Sequence, residues 1–469
     1  MEILYPSLYG WASRVGGFNP IGSVGLLYYT DGVSTFSDSP ELYAFFQAAA
    51  VVREARRALL EKMIEADMHS AKVDFFFSDS DSPLFVRTRQ VLQDYRQYLL
   101  ALPPARSGKP VGNEQLVFRR SLRVADGRWQ DVEIDYELIE VERDLHFLRA
   151  GEESLVQMLQ EEQKKNKDYS ERQSLELLEK MSARHGKCNF LLTDRDGTIN
   201  PYCGHYESSV QSLYNGFFVS RTALANGRPC VILTSAPLSP GVIDVCCMPL
   251  RTRVLAGSKG REYQDSAGGF GQFPIAAKEQ GVLDECNQQL EALLRQKQWQ
   301  AFLSIGSGMQ KKFGQTAVAR QDIHKSISPA FSRQFFVEVQ RIVRGVDPQN
   351  VYLSIEDTGF DIEISLRTSA SGVLAKQGEA AVFSKGDGLE FLRQQADLDI
   401  PESGGFQLVC GDTAGDFPMF AAAKRILPAA LPVLVSNDPD LRAKCISDYP
   451  ESILVPSPES LLLLLRQLA

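Results

Sequence analysis

The order of apolar and polar positions divides the chain into distinct textures. After residue 186, short apolar runs at 190–193, 230–234, 254–256, 407–410, 432–435 and 453–455 alternate with helical patterns. Continuous apolar strands separated by amphipathic helices predict a doubly wound, mostly parallel sheet covered on both faces. The interval 262–384 interrupts that rhythm with a helical pattern at 276–295 and strand-like stretches at 316–320, 351–355 and 360–367. A strand-and-helix unit inserted between core strands reads as a cap over the sheet.

The first 144 residues have another pattern. Residues 1–38 are rich in Gly, Ser and Tyr, with a strand expected at 24–29. Ser39-Pro40-Glu41 and Ser82-Pro83 are helix starts, predicting helices to about 66 and about 100, with a strand at 72–77 between them. Stretches 116–124 and 129–139 flank Asp126-Gly127, which predicts a hairpin. In the second stretch Val132, Ile134, Tyr136 and Leu138 alternate with Glu133, Asp135 and Glu137, giving one buried and one wet face. This is a small α+β domain without a recognisable chemical motif. From 145 to 185 the chain is helical and heavily charged. Its apolar stripes, Leu155, Met158 and Leu159, then Leu175, Leu178 and Met181, are interrupted at 162–168. A solvated linker of this kind predicts that a fragment starting near Arg184 folds alone. It leaves open a protein partner or self-association through the N-terminal domain.

Composition narrows the classes. At 469 residues the chain exceeds a single core. A net charge of −9 lacks the basic footprint of a nucleic-acid binder. No stretch approaches the ~18–20 apolar residues of a membrane span. The leucine run 461–465 follows Ser457-Pro458-Glu459 and opens a packed helix. Glu2 and the Tyr/Ser/Gly-rich start show no signal-peptide pattern. The 8 cysteines contain no C-x-x-C pair, so reduced thiols in a cytoplasmic protein are expected. The 5 histidines lack zinc-ligand spacing.

The chemistry is concentrated at strand ends. The run Phe190 to Leu192 leads into Asp194, Asp196, Gly197 and Thr198, a D-x-D-G-T sequence. Two acids one residue apart beyond a buried strand need a cation or a phosphate-binding group between them. A second strand ends in Thr234-Ser235, hydroxyls suited to a phosphate oxygen. Ser384-Lys385-Gly386 places a cation before a helix, and Gly411-Asp412 follows a third strand with Asp416 four residues on. Ligand sites in open α/β sheets lie beyond the carboxyl ends of the strands.

This ordered set resembles the haloacid-dehalogenase superfamily of phosphohydrolases. The resemblance implies a Rossmann-like core at 186–262 and 378–469, with an inserted α+β cap of the C2 type at 263–377. It implies Asp194 as nucleophile and Asp196 as general acid and base, with Thr234 and Lys385 holding the phosphoryl oxygens. It further implies Mg²⁺ bound by Asp194, the Asp196 carbonyl and Asp412, with Asp416 as ligand or orienter. A narrower resemblance is to trehalose-6-phosphate phosphatases. Ala256-Gly-Ser-Lys-Gly-Arg-Glu262 looks like the segment preceding their cap, with Lys259 where they usually carry His. Gln310-Lys311-Lys312 and Arg320 resemble their E-x-K and H-Y-R strands, and Glu363 their sugar-contacting acid. Strand alternation puts Asp361, Glu363, Ser365 and Arg367 on one polar face. The chain departs from them in having Thr234-Ser-Ala-Pro237 in place of S-G-R. The implied substrate is a small sugar phosphate, trehalose 6-phosphate first. Sucrose, glucosylglycerol or mannosylglycerate phosphate, or a catalytically inactive regulatory module on the same fold, are the alternatives.

Overall fold

A computed structural model describes residues 40–68, 82–104, 119–123, 129–164, 171–303, 305–322, 325, 327–367, 382–395, 398–401, 404–427 and 429–469. The strands expected at 24–29 and 72–77 lie outside them. The described chain divides into two compact units, the first comprising 1–151, 203–213 and 244–247 and the second 152–202, 214–243 and 248–469.

The first unit is built on helices α1 (Pro40–Met68) and α2 (Pro83–Ala101), the hairpin β1 (Arg119–Arg123) with β2 (Trp129–Glu133), and the start of α3 (Asp135–Gln163). Helix α1 buries Leu42, Phe45, Ala49, Val52, Arg56, Leu59 and Met63, three- and four-residue steps that put one stripe inward. The second hairpin strand stops at Glu133, and the residues expected to continue it to 139 form the first turn of α3. Ile134 and Leu138 satisfy both a two-residue and a four-residue repeat. Val141, buried further along, continues only the helical one. Gly151 (φ 82°, ψ 178°) interrupts α3 where the first unit ends.

Two later segments belong to this unit, and α1 and α3 bind their backbone directly. Arg56 donates to Val210 O (3.1 Å), as does the Tyr136 hydroxyl (2.8 Å). Arg53 donates to Asp244 O (2.5 Å) and Arg57 to Cys246 O (2.7 Å). Arg56 is also paired with Asp144 at 2.7 Å, both side chains buried.

The second unit contains an eight-stranded sheet in the order β14-β13-β12-β3-β4-β5-β6-β7. Its parallel part is β3 (Cys188–Thr193), β4 (Cys230–Leu233), β5 (Arg253–Gly257), β12 (Phe406–Gly411), β13 (Ala430–Val435) and β14 (Ile453–Val455). The short antiparallel strands β6 (Glu262–Gln264) and β7 (Phe270–Gln272) extend one edge. Strand β3 lies between β12 and β4, which explains its unbroken apolar run. The charged segment read as a solvated linker packs within this unit. Leu155, Leu159, Leu178 and Met181 are buried, and Arg466 reaches Glu152 at 2.6 Å.

The insert expected as a cap carries a four-stranded antiparallel sheet, order β10-β11-β9-β8, comprising β8 (Met309–Lys312), β9 (Gln315–Ala319), β10 (Leu353–Asp357) and β11 (Asp361–Leu366). One face meets helices Ala277–Leu294 and Pro329–Val346 through Val318, Ile362, Ile364 and Leu366, with Phe302 stacked on Phe335 at 3.8 Å. The register aligns Glu356, Glu363, Ala317 and Gln310 across the other face. That face is polar or small throughout.

Because α1 and α3 satisfy the backbone of residues 203–213 and 244–247, a fragment starting at Arg184 is expected to lose cooperative folding. Size-exclusion chromatography, thermal unfolding and hydrophobic-dye binding, set beside the full chain, check this. A monomeric fragment with the full chain's unfolding midpoint would show that the first unit is dispensable.

Candidate active site

Strands β3, β4 and β12 deliver their carboxyl ends to one place. Asp194 extends the ladder one residue past β3, its N–H donating to Cys410 O (2.9 Å). The chain then turns tightly, the Arg195 carbonyl accepting from the amides of Thr198, Ile199 and Asn200. Gly197 (φ 81°) is required here, since a Cβ would stand 2.1 Å from Asp412 Oδ2.

The cation comes from a helix start. Ser384 caps helix Lys385–Arg393 in a reciprocal box with Asp387, leaving Lys385 as its first residue. Lys385 Nζ is 2.8 Å from Asp194 Oδ2 and 2.5 Å from Asp416 Oδ1. The other Asp416 oxygen accepts from the Asp412 and Thr413 amides, both at 3.0 Å, so it shapes the turn after β12 as well as pairing with Lys385. Asp412 accepts from Thr198 Oγ1 (2.9 Å) and the Tyr202 hydroxyl (2.6 Å).

Asp194, Asp412 and Asp416 bring one oxygen each within 4.8 Å of one another, all buried. Three buried carboxylates outnumber the one ammonium. Burial pushes the Asp194 carboxyl up to about 7 against the pull of Lys385, with Asp416 adding to the rise. Burial, then Asp194 and Asp416, push Asp412 well above the usual carboxylate range. Burial works against the Lys385 charge, yet Asp194 and Asp416 hold its ammonium above its ordinary value.

The set fits a hard divalent cation. Asp194 Oδ1 is buried without a hydrogen-bond partner, and every donor is a carboxylate oxygen. Without a cation Asp194 and Asp412 have raised folded-state pKa values. The unfolded chain then binds fewer protons than the folded one, and stability falls as pH rises from about 4 toward 7. A bound cation should reverse that loss. Added Mg²⁺ is therefore expected to raise the calorimetric unfolding midpoint more at pH 8 than at pH 5.5. An equal shift at both would mean that the triad is not where the ion binds.

The remaining expected residues divide by position. Thr234 follows β4 at the same edge, 3% exposed, its hydroxyl oxygen accepting from the Ala236 amide (3.2 Å). Asp196 is ion-paired with Arg195, the middle residue of the D-x-D run. Lys259 and Glu363 meet at 2.9 Å, joining a core loop to the polar face of the cap. Burial raises the Glu363 carboxyl, but Lys259 and Lys312 overcome it and hold Glu363 below the usual range. Lys312 is lowered by burial, with Lys259 and Lys385 adding to the fall against Glu363 and Asp361, so it faces the same centre. Arg320 stands elsewhere. It bonds Ser332 Oγ (2.9 Å), pairs with Asp357 and lies over the Phe336 ring, on the helix-covered side of the cap sheet. Arg195 and Tyr202 were not foreseen. Arg195 fills a position the motif leaves free, and nothing in sequence spacing links Tyr202 to Asp412.

A parallel sheet carrying an Asp/Lys/Asp/Asp cluster at its carboxyl edge, with an inserted α+β cap, defines the haloacid-dehalogenase class of fold. The chain belongs to the trehalose-6-phosphate phosphatase, C-terminal, family, matched over residues 191–461. It is 35% identical over 300 residues to alpha,alpha-trehalose-phosphate synthase [UDP-forming] 2 of Caenorhabditis elegans, covering 61% of this chain and 23% of that protein. It is 29% identical over 261 residues to the trehalose-phosphatase of Brugia malayi, covering 55% of this chain and 51% of that protein. The chain thus spans well under two thirds of either relative. The C-terminal domain structure of the C. albicans trehalose-6-phosphate phosphatase aligns at 14% identity and a TM-score of 0.42, covering 64% of this chain and 96% of that one. Among the described residues no helix is long and apolar enough to cross a membrane.

Proposed function

We propose that the chain is a Mg²⁺-dependent phosphatase that hydrolyses trehalose 6-phosphate to trehalose and phosphate. The observation that carries this reading is Lys385 bridging Asp194 and Asp416 beneath a polar cap face that reaches the same edge through Lys259–Glu363.

An Asp194 oxygen attacks phosphorus, and the bond to the sugar oxygen breaks. Asp196 gives that oxygen its proton, leaving trehalose and an aspartyl-phosphate. Asp196 then takes a proton from water, whose oxygen attacks phosphorus and frees phosphate and Asp194. Lys385 and Thr234 hold the phosphoryl oxygens through both steps, where charge must be cancelled and the groups kept in line. Mg²⁺, held by Asp194, Asp412 and Asp416, would offset the repulsion between an anionic nucleophile and an anionic ester.

The core treats phosphomonoesters alike, so discrimination falls to groups that meet the sugar. Glu363 and Lys312 present half-buried polar atoms that a wrong ligand leaves unpaired, a basis for rejection.

Asp194→Asn is expected to abolish turnover while leaving the chain folded, because it is isosteric and removes only the nucleophile's charge. Phosphate release above a few per cent of the unmodified rate would refute the nucleophile assignment. Glu363→Ala and Lys312→Ala should each lower kcat/KM for trehalose 6-phosphate by roughly 10²-fold, about 2.7 kcal/mol. Their effect on p-nitrophenyl phosphate should be at least tenfold smaller. Faster turnover of another sugar phosphate in a substrate panel would overturn the trehalose assignment and leave the phosphatase one standing.

A further inference from the structure

Residues 258–261 form a loop with a cost and several attachments. Ser258 (φ 52°), Lys259 (φ 62°) and Gly260 (φ 90°) are consecutive left-handed residues, two of them not glycine. Such strain persists only where the surroundings over-determine it. Here the Ser258 amide donates to Ala236 O (2.7 Å) and the Lys259 amide to Thr234 O (2.9 Å), tying the loop to the end of β4. Gly260 packs on the helix that starts with Lys385, so closely that a Cβ on Gly388 would stand 2.0 Å from Lys259 O.

Arg261 ends the loop, 2% exposed, and spends its guanidinium on the cap. It donates to Gly314 O (2.6 Å) and Phe313 O (3.4 Å) in the β8–β9 turn, and to Leu366 O (3.3 Å) at the end of β11. Its plane lies 4.6 Å from the Phe383 ring centroid, two residues before Lys385. Ser258 Oγ accepts from the Phe313 amide (3.0 Å) and donates to Glu262 (2.6 Å), reinforcing the same turn. Phe313 directly follows Lys312, and β11 carries Glu363. One rigid fork therefore grips both strands that bear the groups assigned to the sugar.

We propose that Arg261, with Ser258, is a positioning residue that fixes the cap's sugar-reading strands against the phosphate site and so sets selectivity for a sugar phosphate over a small ester. The proposal rests on the phosphatase reading above. Arg261→Met keeps much of the side-chain volume and removes all three donations.

The experiment compares Arg261→Met, Glu363→Ala and the double variant in the full chain with Mg²⁺. Arg261→Met is expected to lower kcat/KM for trehalose 6-phosphate at least tenfold, mainly through KM, and to change p-nitrophenyl phosphate hydrolysis less than twofold. Once Glu363 is gone, adding Arg261→Met should cost less than threefold more, because both act through the same cap face. Amide hydrogen exchange across 309–319 and 361–366 should accelerate in Arg261→Met without substrate. Equal losses on both substrates, multiplying losses in the double variant, or unchanged exchange would overturn the proposal. If Arg261→Met is insoluble, Gly314→Ala replaces it, since a Cβ there would stand 2.9 Å from the guanidinium. It should give the same split between substrates, and equal losses would again overturn the proposal. Should the unmodified protein ignore trehalose 6-phosphate, the functional reading fails, and the exchange comparison still decides the role of Arg261.

Discussion

Charge imbalance around Lys385 is the constraint on which the site depends. Removing an ion from water costs several kcal/mol even after the protein relaxes. Here Asp194, Asp412 and Asp416 are all buried around a single ammonium. The surroundings can be understood as ways of bearing that cost. Asp416 takes two backbone amides, Asp412 two hydroxyls, and Lys385 lies between Asp194 and Asp416. Asp194 keeps one oxygen unsatisfied, and a cation there would relieve the strain that the fold leaves in place.

The carboxylate cluster was legible in the sequence because Asp194 and Asp412 follow apolar strands, where position follows from the fold. Lys385 opens a helix beside them and pairs with Asp194, while Thr234 follows β4 at the same edge. The residues expected to meet a sugar were only partly legible. Glu363 follows from period-two alternation and Lys312 from the family resemblance, but Arg320, one residue beyond β9, falls on the helix-covered face. Arg261 carries no signal at all, since its partners are backbone carbonyls, which every residue possesses. The hairpin's second strand was overextended because Ile134 and Leu138 fit two periods at once. The charged segment misled differently: its stripes are short, yet Leu155, Leu159, Leu178 and Met181 have a core to meet.

The cap shows how one sheet serves two purposes. Its apolar face is closed by two helices and stacked aromatics, so the opposite face is free to be polar at little cost to stability. Lys259 then joins that face to the core through an ion pair with Glu363. A histidine in its place would be shorter, whereas the longer lysine stem spans from the core loop to the Glu363 carboxylate.

The return of residues 203–213 and 244–247 to the first unit bears on how the chain is made. The helices that bind those segments emerge from the ribosome first and must wait for their partners. Arg53 waits 191 residues for its partner, so translation at about 5–20 residues per second would leave that surface incomplete for roughly 10 to 40 seconds. In that interval guanidinium and hydroxyl groups later turned inward are met by water, which makes the nascent intermediate more soluble than a bare apolar face would. Buried arginines at this seam are thus compatible with vectorial synthesis: they tolerate delay, and they close onto backbone carbonyls when the last segment arrives.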